Sequence, residues 1–322
     1  MNPHKNKKRQ QEIKNCLFKY KNRLLAIPGV NDLGVGFKFT GKKYTDELAI
    51  VIEVKERYLA QYQKETEIIP QTIEGIPINI IPSPVPELLN FSQDDLHPKH
   101  KEISDNRNIF YKELVGGIRI RNQKRNGYGG TLGTVVYDRD TNLPYGITAR
   151  HVLIPNRSIS LWKSAPVIQP DKARISKAKI GSVYFNRKKE LDCIRFRLNK
   201  NRAINQEQSC IGLKGKISGI ETEIICGTKV MKSGATTGIT YGIIVCESLC
   251  QNRFVIFPDK DYTLVDDELS LAGDSGAIWV LNDGSMKAIG LHSLGNRRKN
   301  IDVELSIALK MDRVADYLNI RF

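Results

Sequence analysis

Ala272-Gly273-Asp274-Ser275-Gly276-Ala277 is a short polar stretch between two apolar runs, with Leu269 and Leu271 before it and Ile278, Trp279 and Val280 after it. A serine between glycines on such a turn can expose its hydroxyl, because glycine allows unusual backbone angles and close approach. The amides of Gly273 and Ser275 can then point at one spot, which is the geometry that stabilises an oxyanion. Gly-Asp-Ser-Gly also occurs in ordinary hairpin turns, so it indicates chemistry only if a base and an orienting acid accompany it.

The whole chain has 322 residues, enough for two domains or one large one, and its composition is typical of a globular protein. It contains no apolar run of about 18 residues, so we expect no membrane association. The basic N-terminus has no apolar segment behind it and does not predict a secretory signal. The six cysteines lack the spacing of a disulfide framework or a zinc site, which favours reduced thiols in the cytoplasm. We therefore expect no metal and no cofactor.

The net charge of +15 allows two interpretations. One is an ordinary solvated cationic surface, and the other is attraction to nucleic acid or to an acidic partner. No nucleic-acid motif accompanies the charge and the aromatic residues are not interleaved with it, so nucleic acid is a possible but disfavoured partner. Much of the charge lies near the start of the chain, at Lys5, Lys7, Lys8, Arg9, Lys14, Lys19, Lys21 and Arg23.

The first 81 residues predict a small α+β domain without a catalytic constellation of its own. The predicted elements are a helix over 9–26, a hairpin of strands 34–39 and 48–54, a helix over 55–65 and an extended segment over 73–81. Residues 82–110 begin with three spaced prolines and carry little periodicity, which predicts a linker or long loop. We expect His97 and His100 to be exposed linker residues and not ligands.

From residue 113 onward the chain changes to short β-rich runs separated by turns, which predicts a barrel or a sandwich. Examples are Gly133–Tyr137, Ile243–Cys246, Phe254–Phe257 and Lys287–Leu291. A helix over Ile307–Leu318 closes the chain.

The other two members of a serine-nucleophile site occur in this β-rich region. His151 follows one predicted strand and Asp192 heads another, so the order His–Asp–Ser fits a catalytic triad with each member at a strand end. Of the five histidines only His151 and His292 lie in this region. Taken singly, His151 has the alternative of a structural histidine and Asp192 that of a turn or surface acid.

These motifs resemble those of the chymotrypsin/trypsin-like serine peptidases. Thr148-Ala149-Arg150-His151 is similar to the Thr-Ala-x-His of that family, Asp192-Cys193-Ile194 to its Asp-Ile-Ala and Gly273–Gly276 to its serine motif. Gly290–Gly295 resembles the strand that pairs with the substrate backbone. The resemblance implies two antiparallel barrels, near 111–205 and 206–322, and a substrate-binding role for Ser293, Leu294 and Gly295.

A narrower resemblance, to the intracellular narrow-leaf-type trypsin-like peptidases, covers nearly the whole chain. It is carried by Ile73–Pro77, Gly130–Gly133, His151–Leu153, Ile168–Pro170 and Lys232–Gly242. The last segment has an alternative as a hairpin in which glycines and threonines only make tight turns.

Two departures and one further resemblance bear on regulation and specificity. Val152 and Leu271 replace cysteines of trypsins, in agreement with a reducing compartment. Counting back from Ser275 puts Leu269 at the floor of the specificity pocket, which argues against selection of Lys or Arg. Leu114–Gly117 resembles the Ile-Val-Gly-Gly start of activated digestive proteases, whose new amino group pairs with the aspartate before the serine, here Asp274. Cleavage after Glu113 is therefore one possible trigger, and an ordinary first barrel strand is the alternative.

The sequence thus predicts a mainly β protein with a trypsin-like double barrel at 111–322, preceded by an α+β domain at 1–81 and a linker at 82–110. The predicted activity is that of a regulated serine endopeptidase on protein or peptide substrates. Ser275 is the nucleophile, His151 the base and acid, Asp192 the orienting carboxylate, and the amides of Gly273 and Ser275 the oxyanion hole. The alternatives are an inactive binding module on a protease fold and a defence effector activated by a partner through residues 1–110.

Overall fold

The structure is a computed structural model that describes residues 3–40, 43–65, 68–83, 96–124, 129–154, 165–171, 178–183, 190–200, 202–298 and 303–322. The α-helices of this part of the chain are α1 (Pro3–Leu25), α2 (Glu56–Lys64), α3 (Pro98–Asn106), α4 (Arg150–Leu153) and α5 (Met311–Leu318). None of the helices in these ranges is long and apolar enough to cross a membrane.

The strands fall into three groups along the chain. The N-terminal strands are β1 (Val30–Thr40), β2 (Lys43–Val54), β3 (Thr72–Ile73) and β4 (Ile76–Pro82). The middle strands are β5 (Glu113–Leu114), β6 (Arg119–Asn122), β7 (Gly130–Thr131), β8 (Thr134–Asp138), β9 (Pro144–Ala149), β10 (Pro166–Ile168), β11 (Lys179–Ser182), β12 (Cys193–Leu198) and β13 (Ala203–Ile204). The last strands are β14 (Gly219–Ile220), β15 (Lys229–Gly234), β16 (Gly238–Ser248), β17 (Arg253–Pro258), β18 (Ile278–Leu281), β19 (Lys287–Arg298), β20 (Val303–Lys310) and β21 (Ile320–Arg321).

Strands β15 to β20 of the last group form a closed antiparallel barrel. Its strands run in the order β15-β18-β19-β20-β17-β16, and the ring closes because β16 also pairs with β15. Alternating inward side chains fill the barrel, as expected for small barrels. Trp279, Phe254 and Leu269 lie in this core, and each residue is 0% exposed. This confirms the predicted barrel around the Gly-Asp-Ser-Gly turn.

Most of the middle strands form a curled half-barrel together with β21, in the order β21-β8-β9-β12-β11-β10-β6-β7, while β5 and β13 pair with each other. The resemblance implies a second antiparallel barrel here, and the described strands form an open, curled sheet that does not close. The two residues between β7 and β8 each make one backbone hydrogen bond, from Leu132 N to Ile118 O and from Gly133 N to Ile147 O, and do not continue either strand ladder. The mainly β, trypsin-like double-barrel fold that the sequence predicts is nevertheless confirmed.

The N-terminal strands extend the sheet of the closed barrel. Strand β1 pairs with β16 in antiparallel register, with Gly34 opposite Ser248 and Gly36 opposite Cys246. A Cβ at Gly34 would lie 2.5 Å from the carbonyl oxygen of Glu247, so this close approach requires glycine. The two units share one hydrophobic core, and the boundary at residue 81 stays a prediction.

Helix α1 is longer than predicted, since it begins at Pro3 and not at residue 9. Its buried Gln10 fixes it to the barrel, donating from Nε2 to the carbonyl of Ile224 and to Glu247, while Cys226 N donates to its Oε1. A buried amide that satisfies three partners holds one orientation.

Two sequence expectations at other helices are wrong. Helix α3 lies in the predicted linker, where His100 is 1% exposed and not a solvated linker histidine. Residues 84–95 of that linker lie outside the described residues. The last helix begins at Met311 and not at Ile307, because residues up to Lys310 belong to β20 and pair with β17 and β19.

Candidate active site

His151 and Asp192 meet because their strands are neighbours. Strand β9 pairs with β12 so that Ala149 is opposite Cys193, which puts the residues just beyond, Arg150 and Asp192, side by side. The chain turns into α4 there, and His151 Nδ1 lies 2.7 Å from Asp192 Oδ2. The backbone N–H of His151 also donates to Asp192 Oδ1 at 3.0 Å. Both oxygens of the carboxylate therefore hold the histidine, one through its ring and one through its backbone.

Hydrogen bonds determine the ionisation of Asp192. Burial acts to raise its pKa, but the hydrogen bonds from His151 and Ser293 and the proximity of His151 outweigh that effect, so the pKa lies below the ordinary value. Asp192 is thus a carboxylate at neutral pH. An ionised carboxylate on Nδ1 selects the tautomer in which Nε2 is free of the proton and faces away from Asp192.

Ser293 connects Asp192 to Ser275 across the two barrels. Its hydroxyl donates to Asp192 Oδ2 at 2.7 Å, and its backbone carbonyl accepts from the Ser275 hydroxyl at 3.3 Å. Ser293 belongs to β19, whose pairing with β18 positions the turn that carries Ser275. Gly276 N and Ala277 O complete this link through bonds of 2.8 Å to the O and N of His292.

Glycines shape the turn that carries Ser275. Gly273 has φ +101° and Gly276 has φ +95°, values at which a side chain is strained. A Cβ at Gly276 would lie 2.1 Å from the Thr148 hydroxyl, so the turn packs directly against the half-barrel. Thr131 N also donates to Ser275 O at 2.9 Å. The sequence prediction that glycine is needed here for angle and for approach is therefore supported by both observations.

The backbone amides of Gly273 and Ser275 remain available for a ligand. Within the described part of the chain, neither N–H donates to a protein acceptor. The neighbouring amides are used, since Asp274 N donates to Leu271 O and Gly276 N to His292 O. Backbone donors inside proteins are nearly always paired. Gly273 is buried and Ser275 half-buried, so two donors without a protein acceptor on this turn are typical of an anion-binding position.

Asp274 is buried, and Lys232 is its charged partner. Lys232 Nζ lies 3.0 Å from Asp274 Oδ2, and both side chains are 0% exposed. The carboxylate also accepts from Thr237 Oγ1 at 2.6 Å and from the backbone N–H groups of Thr236, Thr237 and Leu271. Burial acts to raise the pKa of Asp274, but Lys232 and these donors hold it well below its ordinary range.

Sequence reasoning missed Lys232, because its segment was interpreted as a hairpin with tight turns. The signal was present in the strand pattern. Lys232 and Val230 are two residues apart on β15 and therefore face the same side, which is the barrel interior. A lysine on the inward face of a strand needs a buried acid, and Asp274 is that acid.

The second histidine of the β-rich region, His292, is not a candidate for proton transfer. It is 1% exposed and packs edge-on to Trp279, with ring centroids 6.2 Å apart. Burial, together with Lys232, lowers its pKa to about 3, so it is neutral at physiological pH.

The predicted substrate-binding residues separate into two places. Leu294 and Gly295 pair with Ile307 and Ser306 of β20, while the described pairing of β19 with β18 involves only residues before Ser293. Gly295 approaches the opposite wall, since a Cβ there would lie 2.3 Å from Ser270 Oγ. Leu269 is 0% exposed in the barrel core, and its role at a pocket floor stays a prediction.

Among the described residues no group of three or more His, Cys, Asp or Glu side chains could hold a metal ion. The six cysteines, Cys16, Cys193, Cys210, Cys226, Cys246 and Cys250, are free thiols. Burial raises the pKa of Cys193 and Cys226, so these thiols are protonated and do not act as thiolates at neutral pH.

No protein-family model matches the chain, and no curated protein matches it. Solved structures that resemble it include Nocardiopsis protease (NAPase), with 18% identity and a TM-score of 0.45 over 65% of this chain and 98% of that one. A glutamic acid-specific serine protease that uses a histidine triad in substrate binding shows 16% identity and a TM-score of 0.44, over 65% and 99% of the two chains. Cellulomonas bogoriensis chymotrypsin shows 15% identity and the same TM-score, 0.44, over 65% and 98%. At these values the fold assignment depends on the strand pairing described above.

Proposed function

We propose that this chain is a serine endopeptidase in which Ser275 is the nucleophile, His151 the general base and acid, and Asp192 the carboxylate that orients His151. The amides of Gly273 and Ser275 form the oxyanion hole. The substrate is a protein or peptide whose backbone lies along Ser293–Gly295 as an additional strand.

The observation that carries the proposal is the double role of Ser293, which contacts both Asp192 and Ser275. Through it the His151–Asp192 pair of the half-barrel and the Gly-flanked Ser275 turn of the closed barrel belong to one hydrogen-bonded unit. A structural histidine or a surface aspartate, the alternatives from sequence, would not need a serine turn with two unused amides beside it.

The chemistry follows from these positions. His151 accepts the Ser275 proton as Oγ attacks the substrate carbonyl, and Asp192 stabilises the imidazolium that forms. The two amides donate to the oxyanion of the tetrahedral intermediate. His151 then gives its proton to the leaving amine, an acyl-enzyme remains on Ser275, and a water activated by His151 releases it.

The uncut chain carries the cation that Asp274 needs, so we propose that activity does not require cleavage after Glu113. Lys232 already neutralises the carboxylate. Leu114, the residue such a cut would expose, is 1% exposed and its strand pairs with β13. A new amino group there would find no vacant acceptor at Asp274.

A cytoplasmic location and control by a protein partner through residues 1–110 complete the proposal. The free thiols support a reducing compartment. The pairing of β1 with β16 and the contacts of α3 give residues 1–110 a physical connection to the barrel that carries Ser275. Membership of the intracellular narrow-leaf-type trypsin-like peptidases, which the sequence motifs resemble, is also part of this proposal.

Fluorophosphonate labelling of purified protein tests the function. We expect labelling of the wild type, none for Ser275→Ala, and strong loss for His151→Ala. Ser218→Ala is the matched control, because it removes an exposed hydroxyl remote from these residues. If the folded wild type is labelled no more than Ser275→Ala, Ser275 is not an activated nucleophile, and the result favours the binding-module alternative.

A further inference from the structure

Helix α3 lies in a stretch that the sequence marked as a linker, yet it is fixed to the closed barrel. His97 caps the helix, with Nδ1 accepting from Lys99 N at 3.2 Å. His100 Nε2 lies 3.0 Å from the carbonyl oxygen of Val265, in the connection between barrel strands β17 and β18. Ser104, one turn further along, is 1% exposed. A segment with these buried polar contacts is part of the packed structure and not a tether.

Arg107, directly after α3, holds the last two residues of β15, where the hairpin turn to β16 begins. Its Nη1 donates to Ser233 Oγ at 2.7 Å, to Gly234 O at 2.9 Å and to Gly117 O at 3.2 Å. The residue is 6% exposed. Burial lowers the pKa of this guanidinium but leaves it charged, so its bonds are charge-assisted and strong.

Arg119 makes a second connection between the helix and the same turn. Its Nη2 donates to Ser104 Oγ at 2.9 Å, to Thr236 Oγ1 at 2.8 Å and to Ala235 O at 3.3 Å. It also lies against the oxyanion turn, because a Cβ at Gly273 would be 2.6 Å from its Nη1.

The hairpin turn after β15 is bonded to the segment that carries the proposed oxyanion hole. Thr236 N donates to Asp274 Oδ1 at 2.8 Å, and Thr236 Oγ1 donates to Ala272 O at 2.8 Å. Ala235 N donates to Thr131 Oγ1, which itself donates to Gly273 O at 2.8 Å. Bonds therefore run without interruption from α3 to the residues on both sides of Gly273.

We propose that α3 with Arg107, which we call the strap (Pro98–Arg107), positions the oxyanion hole by bracing the turn Ser233–Gly238. Arg107 is a positioning residue and does not touch substrate. This inference rests on the proposed function for its effect on catalysis. Its physical basis is that an oxyanion hole must be held to a fraction of an ångström, which a network of satisfied buried bonds provides. The strap also gives a partner bound at residues 1–110 a route to the active site.

Two substitutions weaken the strap without removing its charge. Arg107→Lys keeps the positive charge but loses the planar guanidinium that reaches its acceptors. Ser104→Ala removes only one acceptor of Arg119 and is the milder change. If Arg107→Lys does not fold, Ser104→Ala alone tests the strap. The matched control is Arg253→Lys, since Arg253 is also a largely buried guanidinium, bonded to Asp32 and Glu53 of the N-terminal sheet.

Two measurements on the full-length variants test the strap. Hydrogen exchange of the peptide 269–277 should become about tenfold faster in the strap variants and stay unchanged in Arg253→Lys. With a peptide ester, kcat should fall about 10- to 100-fold at a nearly constant KM, again only in the strap variants.

The outcomes separate this inference from the proposed function. Folded Arg107→Lys and Ser104→Ala proteins with wild-type exchange over 269–277 would overturn the strap, whatever the activity. A wild type that neither labels with fluorophosphonate nor turns over ester rejects the function, and hydrogen exchange still decides the strap.

Discussion

Lys232 Nζ lies 3.0 Å from Asp274 Oδ2 in the interior of the closed barrel, and neither side chain is exposed. Asp274 is flanked by the two residues whose amides form the proposed oxyanion hole. The ion pair therefore fixes the ionised aspartate from within the uncut chain, in the position where the resemblance to digestive proteases would put a new amino group.

Removal of the cation should destabilise the fold. Lys232→Met leaves an unpaired buried carboxylate, so we expect the free energy of unfolding to fall by about 3–5 kcal/mol in urea denaturation. Lys232→Met/Asp274→Asn should recover part of that loss, because no unpaired charge remains. The control is Lys7→Met, which breaks an exposed pair with Glu223 and should leave stability unchanged. Equal stability of the three variants would show that the buried pair is not needed for the fold.

The pH dependence of stability should reflect Asp274. The pKa of Asp274 in the folded state lies below its unfolded value of about 4. The contribution of Asp274 to the free energy of unfolding is therefore complete above about pH 4 and is lost as the pH falls toward the folded pKa. Below about pH 4 the wild-type free energy of unfolding should therefore fall more steeply than that of Lys232→Met/Asp274→Asn, by about 1.4 kcal/mol per pH unit. Denaturation curves between pH 2.5 and 6, values chosen to bracket an ordinary Asp pKa of about 4, measure this difference. Parallel curves would contradict it.

Cleavage before Leu114 should not activate the enzyme. Ile109, Phe110, Lys112 and Glu113 are exposed, so the recognition sequence of a specific protease that cuts after its last residue can be placed directly before Leu114. We expect kcat/KM on a peptide ester to be the same or lower after the cut, because Lys232 already occupies Asp274. The uncleavable chain without the inserted sequence is the control. A tenfold or larger rise, about 1.4 kcal/mol in transition-state stabilisation, would instead identify a zymogen.

Loss of the Ser293 hydroxyl should slow catalysis without unfolding the protein. Ser293→Ala removes one donor to Asp192, so the imidazole is less well oriented and we expect kcat to fall about tenfold with KM nearly constant. Ser248→Ala is a close control, because it removes a buried serine hydroxyl that donates to another aspartate, Asp32. If both variants keep the wild-type kcat, the bond between Ser293 and Asp192 has no catalytic role.

A methyl group at Gly273 should damage the oxyanion hole. In Gly273→Ala the Cβ would lie 2.5 Å from Thr236 Oγ1 at φ +101°, so the turn must shift and we expect kcat to fall about 10²–10³-fold. Gly215→Ala separates the two causes, since Gly215 has φ +79° but no atom within 4 Å of its Cβ position. That control should lose stability and keep kcat. An unimpaired Gly273→Ala enzyme would exclude this amide from the oxyanion hole.

The triad candidates were accessible from sequence because each lies at the end of a recognisable strand. The runs before His151, after Asp192 and on both sides of Ser275 have the apolar character of barrel strands, and their order restricts which ends can meet. The structure brings His151 and Asp192 together through the β9–β12 register and connects them to Ser275 through Ser293.

The strap was not accessible in the same way. The residues of α3 are polar and follow spaced prolines, a pattern typical of a linker, and the helix is held by bonds to residues far along the chain, such as Val265. Counting along the chain assigned Leu269 to a specificity pocket. Its side chain packs in the core of the closed barrel, and the pocket role stays a prediction.

The sequence by itself determined the mainly β architecture, the turn that exposes Ser275 and the identity of the candidate triad, because strand periodicity and glycine turns are local properties. Only the tertiary structure decided that Lys232 neutralises Asp274, that Ser293 joins the two halves of the site and that α3 braces the oxyanion turn. These are contacts between residues tens to more than a hundred positions apart, and barrel closure, not local pattern, selects which buried donor meets which buried acceptor.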